Sequence, residues 1–384
     1  MTVEAEMVSP SIMEMSIEEI AKEAIPQISV LGVGGGGCNI VSWIKKEIVG
    51  ARTFALNSDA QHLCITKADK RILLGYNVTG GLGCGGFPEQ GIKVAEESAI
   101  EIEKSISDSD LVFVTSALGG GTGTGATPVV AKIAREMGAL TLGVVTIPFE
   151  VEGTRLESAK EGLKRLIDAS DSVIVIDNNR LRGVAGDLPL KEAFGVANEL
   201  VAAFVKNMSE ALAVPGLMNL DFADMKAIMR GGGVCAIGFG EGSGDTKVED
   251  AVDKALNSQL LDLGDIRKAE GALVYIEGGE DMTLEDVNRA GELVLERVSP
   301  SARVTWGARV NSELGDKLRA TIVLAGVDSP FLLERPKRKV KKERPKKTAK
   351  KGKAKKTAKK ERPKKAVKKG KSEKAVEKKT KSAS

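Results

Sequence analysis

Gly119-Gly120-Gly121-Thr122-Gly123-Thr124-Gly125 is the stretch whose reading decides the fold. It follows an apolar run, Asp110 to Ala117 (DLVFVTSA), that reads as a buried parallel strand. It precedes Thr127-Pro128, which reads as a helix N-cap and first helical residue, so a helix is expected over Val129 to Met137, stopping at Gly138. Five glycines in seven positions remove the side chains that would keep a ligand from the backbone, and they permit positive φ. Successive N–H groups can then converge on an anion, helped by the partial positive charge at the start of the following helix, and the two threonines add hydroxyl donors. The stretch reads as a cradle for phosphates. A flexible glycine linker is the competing reading, but linkers rarely sit between a buried strand and a capped helix.

Working outward, the same unit recurs. A strand at Ile28 to Val33 runs into Gly34-Gly35-Gly36-Gly37-Cys38-Asn39 and a helix expected over Ile40 to Val49. Gly32, Gly34 and Gly37 also satisfy GxGxxG, which alone is a weak dinucleotide signal. A strand at Arg52 to Leu56 ends at Asn57-Ser58-Asp59, where amide or acidic groups can meet a ribose. A third glycine loop, Gly80 to Gly91 (GGLGCGGFPEQG), joins a short strand at Arg71 to Leu74 to a helix at Ile92 to Ser105. No GxxxxGK[ST] is present: Gly86 to Lys93 comes near but puts Ile92 where the lysine belongs. Phosphate charge must therefore be met by backbone N–H groups, helix N-termini and a cation.

Beyond the central loop come a strand at Leu140 to Ile147, a loop at Pro148 to Thr154, a helix at Arg155 to Ala169, a strand at Ser172 to Ile176 and a loop at Asp177 to Asp187. Alternating strands and helices imply a right-handed parallel sheet with its ligand above the strand C-termini, where the three glycine loops converge. A long apolar-periodic helix at Leu190 to Ala213 follows, ended by Pro215-Gly216, which opens Leu217-Met218-Asn219-Leu220-Asp221-Phe222-Ala223-Asp224. A smaller α/β unit then has strands at Val234 to Gly240, Ala272 to Glu277, Arg303 to Val310 and Leu318 to Leu324, with helices near Lys247 to Ser258 and Leu284 to Val298. The expected organisation is a leader (1–26, with an amphipathic piece at Ser16 to Ala24), a Rossmann-like α/β nucleotide domain (27–189), a central helix and loop (190–224), a smaller α/β domain (225–330) and a disordered Lys-rich tail (331–384).

Composition narrows the function classes. The start is acidic and Met-rich, unlike a secretion signal, and no run approaches the roughly 18 to 20 apolar residues of a membrane span. Cys38, Cys64, Cys84 and Cys235 occur singly, which suits reduced thiols in a cytoplasmic protein. His62 is the single histidine, so histidine metal sites and Ser-His catalysis are nearly excluded; it reads as an ordinary polar residue near a helix end. The net charge of +4 conceals a division: from Arg335 onward about 26 Lys and Arg face about 4 Glu, so the tail carries about +22 and the rest about −18.

At this point the chain resembles one family closely, the tubulin-like cell-division GTPase FtsZ, in its archaeal form. The resemblance rests on GVGGGGCN (Gly32 to Asn39), NSDAQHL (Asn57 to Leu63), GLGCGGFPEQG, GGGTGTG, PFEVEG (Pro148 to Gly153), FGVANE (Phe194 to Glu199) and NLDFADM (Asn219 to Met225), in family order across 28 to 326. It implies the tubulin/FtsZ fold, with GTP or GDP held at the phosphates by Gly35, Gly36, Gly37, Cys38, Asn39, Gly121, Thr122 and Gly123. Glu152 and Arg155 would lie beside the ribose and phosphates, Phe194 would stack on the guanine, and Asn178 and Asn198 would hydrogen-bond it. Mg2+ would ride on the nucleotide, with no residue assigned as a metal ligand. Asn219, Asp221 and Asp224 would complete the site of the next subunit and polarise the attacking water, so that hydrolysis requires head-to-tail assembly into the cytoplasmic division ring at mid-cell. The alternative for Asp221 is that it caps the helix starting near Phe222, and both roles are compatible.

The chain departs from the family in places. Phe87 stands where an Asn is common, and a loop one residue shorter turns Arg155 about 100° around its helix. Cys38 and Cys84 replace Gly or Ala; small-residue packing competes here with oxidation-sensitive nucleotide binding. The tail lacks the family's short adaptor-binding peptide, so division-ring or membrane-tethering adaptors are expected without an obvious docking sequence. Its lysines suit anionic lipid, nucleic acid or acidic protein surfaces, without aromatics to read sequence, or simply a solvated spacer. An NAD-dependent dehydrogenase would explain GxGxxG but not the other loops. A chromatin-associated protein regulated by its nucleotide domain would make the tail the working part.

Overall fold

Strand β1 (Ile28–Val33) is buried at every position, as a strand covered by helices on both faces must be. The computed structural model describes residues 25–46, 48–181, 187–213, 216–257 and 266–327. After β1 come α1 (Gly34–Ile44), β2 (Ala51–Asn57), α2 (Ala60–Ile65), β3 (Lys70–Leu73), α3 (Tyr76–Thr79), α4 (Pro88–Glu97), α5 (Ala99–Ile106), β4 (Leu111–Ala117), α6 (Gly121–Glu136), β5 (Leu140–Ile147), α7 (Thr154–Ala169) and β6 (Ser172–Asp177). The long α8 (Leu190–Ala213) leads to α9 (Phe222–Met229), β7 (Gly233–Ser243), α10 (Lys247–Leu256), β8 (Gly271–Gly278), α11 (Leu284–Leu295), β9 (Arg303–Val310) and β10 (Lys317–Ala325).

The strands form one ten-stranded sheet, ordered β3-β2-β1-β4-β5-β6-β7-β10-β8-β9. Neighbours are parallel from β3 through β7, β10 runs antiparallel to both β7 and β8, and β8 and β9 are parallel. Because side chains alternate along a strand, Ile28, Val30, Leu111 and Phe113 pack with α1, α8 and α9 on one face. Leu31, Val33, Val112 and Val114 pack with α4, α5, α6 and α7 on the other. A third cluster joins β7, β8 and β10 to α10 and α11.

The parallel sheet, the central helix and the smaller unit's strands and helices stand where the periodicity puts them. The exceptions cluster at the glycines. Both glycine runs are helical: α6 begins at Gly121, placing Pro128 inside it, and α1 begins at Gly34 and stops at Ile44. Thr127 is no N-cap; its hydroxyl donates to the Gly123 carbonyl at 2.5 Å. Tertiary packing overrides glycine's poor helix propensity here. A Cβ on Gly125 would stand 2.0 Å from the Pro88 carbonyl, and one on Gly91 2.3 Å from the Gly121 carbonyl, so α4 and α6 touch backbone to backbone. The helix expected over Ile92 to Ser105 starts earlier and is two helices, broken at Ser98, whose hydroxyl accepts from Gly75 N at 3.0 Å.

The leader piece Ser16 to Ala24 and the Lys-rich tail lie outside the described residues. Among those described, no helix is long and apolar enough to cross a membrane.

Phe204 of α8 meets Phe113 of β4 edge to face, centroids 5.8 Å apart, with both side chains buried. Truncating Phe204 removes this contact and leaves a cavity where α8 seats on the sheet. Phe204→Ala should lower unfolding free energy by about 3–5 kcal/mol in a denaturant titration.

Candidate nucleotide site

The strand C-termini carry two helix starts that face one another. Gly34, the first residue of α1, has φ +73°, and a Cβ there would stand 2.7 Å from Gly123 N in α6. Gly119, at φ +101°, turns the chain from β4 toward α6, and its N–H donates to Thr124 Oγ1 at 2.7 Å. Neither α1 nor α6 has a side-chain N-cap. The orphan N–H groups of their first turns, with the positive ends of both helix dipoles, are thus available to an anion.

The glycines divide by what surrounds them. A Cβ on Gly35 or Gly120 would meet nothing within 4 Å, whereas one on Gly36 would stand 2.3 Å from Ala117 Cβ. Gly35 and Gly120 therefore face open space, and Gly36 is required for packing. The threonine hydroxyls have protein partners: Thr122 Oγ1 lies 2.7 Å from Ser58 Oγ, and Thr124 accepts from Gly119 as above.

Beside these helix starts lies a cavity of about 890 Å³, lined by Gly36, Asn39, Ala117, Thr146, Asn178 and Asn198 among others. It brings together residues from α1, β4, β5, the end of β6 and α8. Asn178 is 8% exposed, and its amide oxygen has no hydrogen-bond partner among the described residues. A ligand in the cavity can supply a donor to an acceptor of that kind. Trp43, Lys46, His62 and Lys67 also line the cavity and were not singled out as ligand contacts in the sequence. Trp43 follows Asn39 by four residues, the spacing that puts two side chains on one helix face, and Lys46 Nζ sits 4.4 Å from its ring centroid. Phe194 precedes the lining residue Gly195 on α8; its side chain lies outside the described residues.

Glu152 and Arg155 stand over the Gly119 turn rather than in the cavity wall. Arg155 Nη1 donates to Glu152 Oε2 at 3.0 Å, and Phe149 N donates to Glu152 Oε1 at 3.0 Å. The Arg155 carbonyl lies 3.1 Å from where a Gly119 Cβ would be. Phe87 caps α4 without a side-chain hydrogen bond and is exposed.

Asn219, Asp221 and Asp224 lie elsewhere. From Asn198 at the cavity, α8 rises about 22 Å to Ala213, whose Cβ would stand 2.9 Å from one on Gly50, just before β2. The three residues follow that far end. Asn219 Oδ1 accepts from Gly216 N at 2.5 Å, and Asp221 Oδ1 accepts from Ala223 N at 2.8 Å, capping α9. Asp224 Oδ2 accepts from Thr305 Oγ1 at 3.4 Å. Among the described residues no group of three or more His, Cys, Asp or Glu is arranged to hold a metal ion.

Residues 27–186 match the family model for the tubulin/FtsZ GTPase domain, and residues 233–328 match the FtsZ C-terminal domain. Cell division protein FtsZ 1 of Archaeoglobus fulgidus is 48% identical over 324 residues, covering 84% of this chain and 88% of that one. The chain belongs to the FtsZ family. FtsZ 2 of Methanocaldococcus jannaschii is 46% identical over 324 residues, covering 82% of this chain and 85% of that one. A solved M. jannaschii structure, an empty FtsZ dimer, superposes with a TM-score of 0.77 at 46% identity, over 83% of this chain and 93% of that one. The GTPγS-bound protofilament of CetZ2 from Haloferax volcanii shares the fold, with a TM-score of 0.68 at 24% identity over 79% of this chain and 93% of that one. The family supplies the cofactor class, a guanine nucleotide, and the cavity suits it: two uncapped helix starts for phosphates, and an unpartnered buried amide for a base edge.

Cys38 and Cys84, beside the site of this FtsZ-family chain, are both buried. Cys38, on the inner side of α1, packs with Ala55 and Leu63, and burial pushes its thiol up to about 12; Cys84 is buried with Sγ 3.3 Å from Ser58 Oγ. Cys235 is buried too, and only Cys64 is exposed among the four. At pH 8, iodoacetamide should label about one thiol per native chain, Cys64 by peptide mapping, and all four after denaturation. Comparable labelling of Cys38 or Cys84 would revive the oxidation-sensing reading.

Proposed function

We propose that this FtsZ-family GTPase assembles head to tail into protofilaments that form the cytoplasmic division ring at mid-cell, and that it hydrolyses GTP only where two copies meet. The observation that carries this reading is the separation of the site into two ends. Phosphate and base groups gather at the cavity, whereas Asp221 and Asp224, the acids suited to polarising water, follow the far end of α8, about 22 Å along the helix from Asn198. Within one chain they cannot act on one nucleotide; stacked copies bring the loop of one to the cavity of the next.

In this reading Gly35, Gly36, Gly37, Cys38, Asn39, Gly121, Thr122 and Gly123 hold the phosphates through backbone N–H groups. Asn178 and Asn198 hydrogen-bond guanine, Phe194 stacks on it, and Glu152 and Arg155 flank the ribose and phosphates. Mg2+ comes with the nucleotide and spreads the charge of the transferring phosphoryl group. Asn219, Asp221 and Asp224 enter from the neighbouring copy and position water. Exposed apolar side chains support a contact at both ends: Leu82 (84% exposed), Phe87 (64%) and Val151 (91%) surround the glycine loops, and Leu217 (68%) sits on the carboxylate loop. Different patches meeting head to tail make an open filament, and a 46%-identical relative has been solved as a dimer. Adaptors would tether the filament to the membrane, and the Lys-rich tail would bind anionic lipid, nucleic acid or acidic protein surfaces.

The test is GTP turnover per molecule against protein concentration. A shared site predicts a threshold followed by a steep rise to a plateau. A rate independent of concentration would contradict it.

A further inference from the structure

Strand β9 lies under the stretch that joins α8 to α9, and its successive residues meet that stretch in different ways. Thr305 donates to Asp224 Oδ2 at 3.4 Å. A Cβ on Gly307 would stand 3.2 Å from the Met218 carbonyl oxygen and 3.3 Å from Leu220 Cδ1, so the loop rests directly on the bare strand. Ala308 exchanges a pair of backbone bonds with Met218: Met218 N donates to Ala308 O at 3.1 Å, and Ala308 N donates to Met218 O at 2.9 Å. Leu220 is buried in the core. Asn219 is thus held between two fixed neighbours, with its amide oxygen accepting from Gly216 N.

The next residue of β9 ties the strand to the central helix. Arg309 Nη1 donates to Glu210 Oε2 at 2.6 Å, and Glu210 lies in the last turn of α8. Both side chains are largely withdrawn from solvent, 27% and 12% exposed. Removing either partner would leave an uncompensated charge in a poorly hydrated place. Glu277 stands beside Arg309 in the β8–β9 register. Burial, and next the Glu210 charge, raise the Glu277 carboxyl above its ordinary range, and Arg309 opposes that shift together with Arg319 and Lys206.

We propose that β9 is the template that sets the geometry of the Asn219–Asp224 loop, and that Arg309, paired with Glu210, is the positioning residue that locks this template to α8. The proposal rests on the reading that Asp221 and Asp224 act in hydrolysis. Arg309 touches neither nucleotide nor water: it fixes where the loop stands relative to the helix whose other end reaches the nucleotide cavity. Misplacement of a catalytic group by about 1 Å costs on the order of a hundredfold in rate. A small shift of β9 should therefore be felt in turnover before it is felt in binding.

The experiment uses the full chain and four variants: Gly307→Ala, Arg309→Met, Arg309→Lys and Asp221→Ala. For each, GTP affinity, polymer pelleted with a non-hydrolysable GTP analogue, and kcat at saturating GTP are measured. Gly307→Ala and Arg309→Met should lower kcat by about tenfold or more with affinity and pelleted mass unchanged, and Arg309→Lys should recover most of the loss. If both Gly307→Ala and Arg309→Met keep kcat within about twofold of the parent while Asp221→Ala abolishes it, β9 and Arg309 do not position the loop. If Asp221→Ala itself turns over normally, the catalytic assignment of the carboxylates fails, and this proposal with it. Should Arg309→Met not fold, Gly307→Ala, which removes no ion pair, decides alone.

Discussion

Backbone meeting backbone is the constraint on which the rest of this molecule depends. Gly34 lies against Gly123, Gly91 against Gly121, and Gly125 against Pro88, at separations that leave no room for a Cβ. This contact allows α1 and α6 to start almost on top of one another, so that two sets of unpaired N–H groups share one region. A single alanine in these positions would force the helices apart, because interiors are close-packed and do not give way without strain. The arrangement suits phosphate without a P-loop lysine, since the fixed dipoles of the two helix starts add to the charges of Lys46 and Lys67 in the cavity wall.

In the proposed head-to-tail assembly, the central helix would carry that local arrangement from one copy to the next. Its apolar side, including Val201, Phe204, Val205 and Met208, seats against the sheet. One end therefore holds Asn198 at the cavity, and the other delivers the chain to Asn219 and Asp221. A rigid spacer of fixed length separates what binds the nucleotide from what would activate water. Strand β9 and the Glu210–Arg309 pair then fix the far end relative to the spacer.

Most of this architecture is legible in the sequence because its elements are long and their periods unambiguous. Strands β1, β5 and β9 and helix α8 have the bounds that apolar periodicity assigns. The glycine runs misled in one respect. Read locally, Gly121 to Gly125 break a helix, and Thr127-Pro128 start one. In the fold, α4 pressed against α6 makes glycine the residue that permits the helix. That pressure comes from a segment some thirty residues earlier, which no local window contains. The candidate site was legible in its loops and amides: Gly36, Asn39, Asn178 and Asn198 do share one cavity. Trp43 was legible only through its four-residue spacing from Asn39, and Lys46 and Lys67 were not, because only the turn after α1 and the chain beyond α2 bring them to its wall. Glu210 and Arg309 were also invisible, since nearly a hundred residues separate a pair that only sheet order brings together.

The central claim, one nucleotide worked on by two copies, is tested most directly by mixing two inactive chains. One carries Asp221→Ala and Asp224→Ala, keeping the nucleotide cavity but losing the acids. The other carries Gly35→Glu, which places a negative charge in the open space before the phosphate-binding helices while leaving the acids intact. Each alone should be inert. Mixed in equal amounts, they should recover turnover toward about one quarter of the parent rate, the share of junctions in a random copolymer that pair an intact cavity with intact acids. A mixture as inactive as its components would contradict the account.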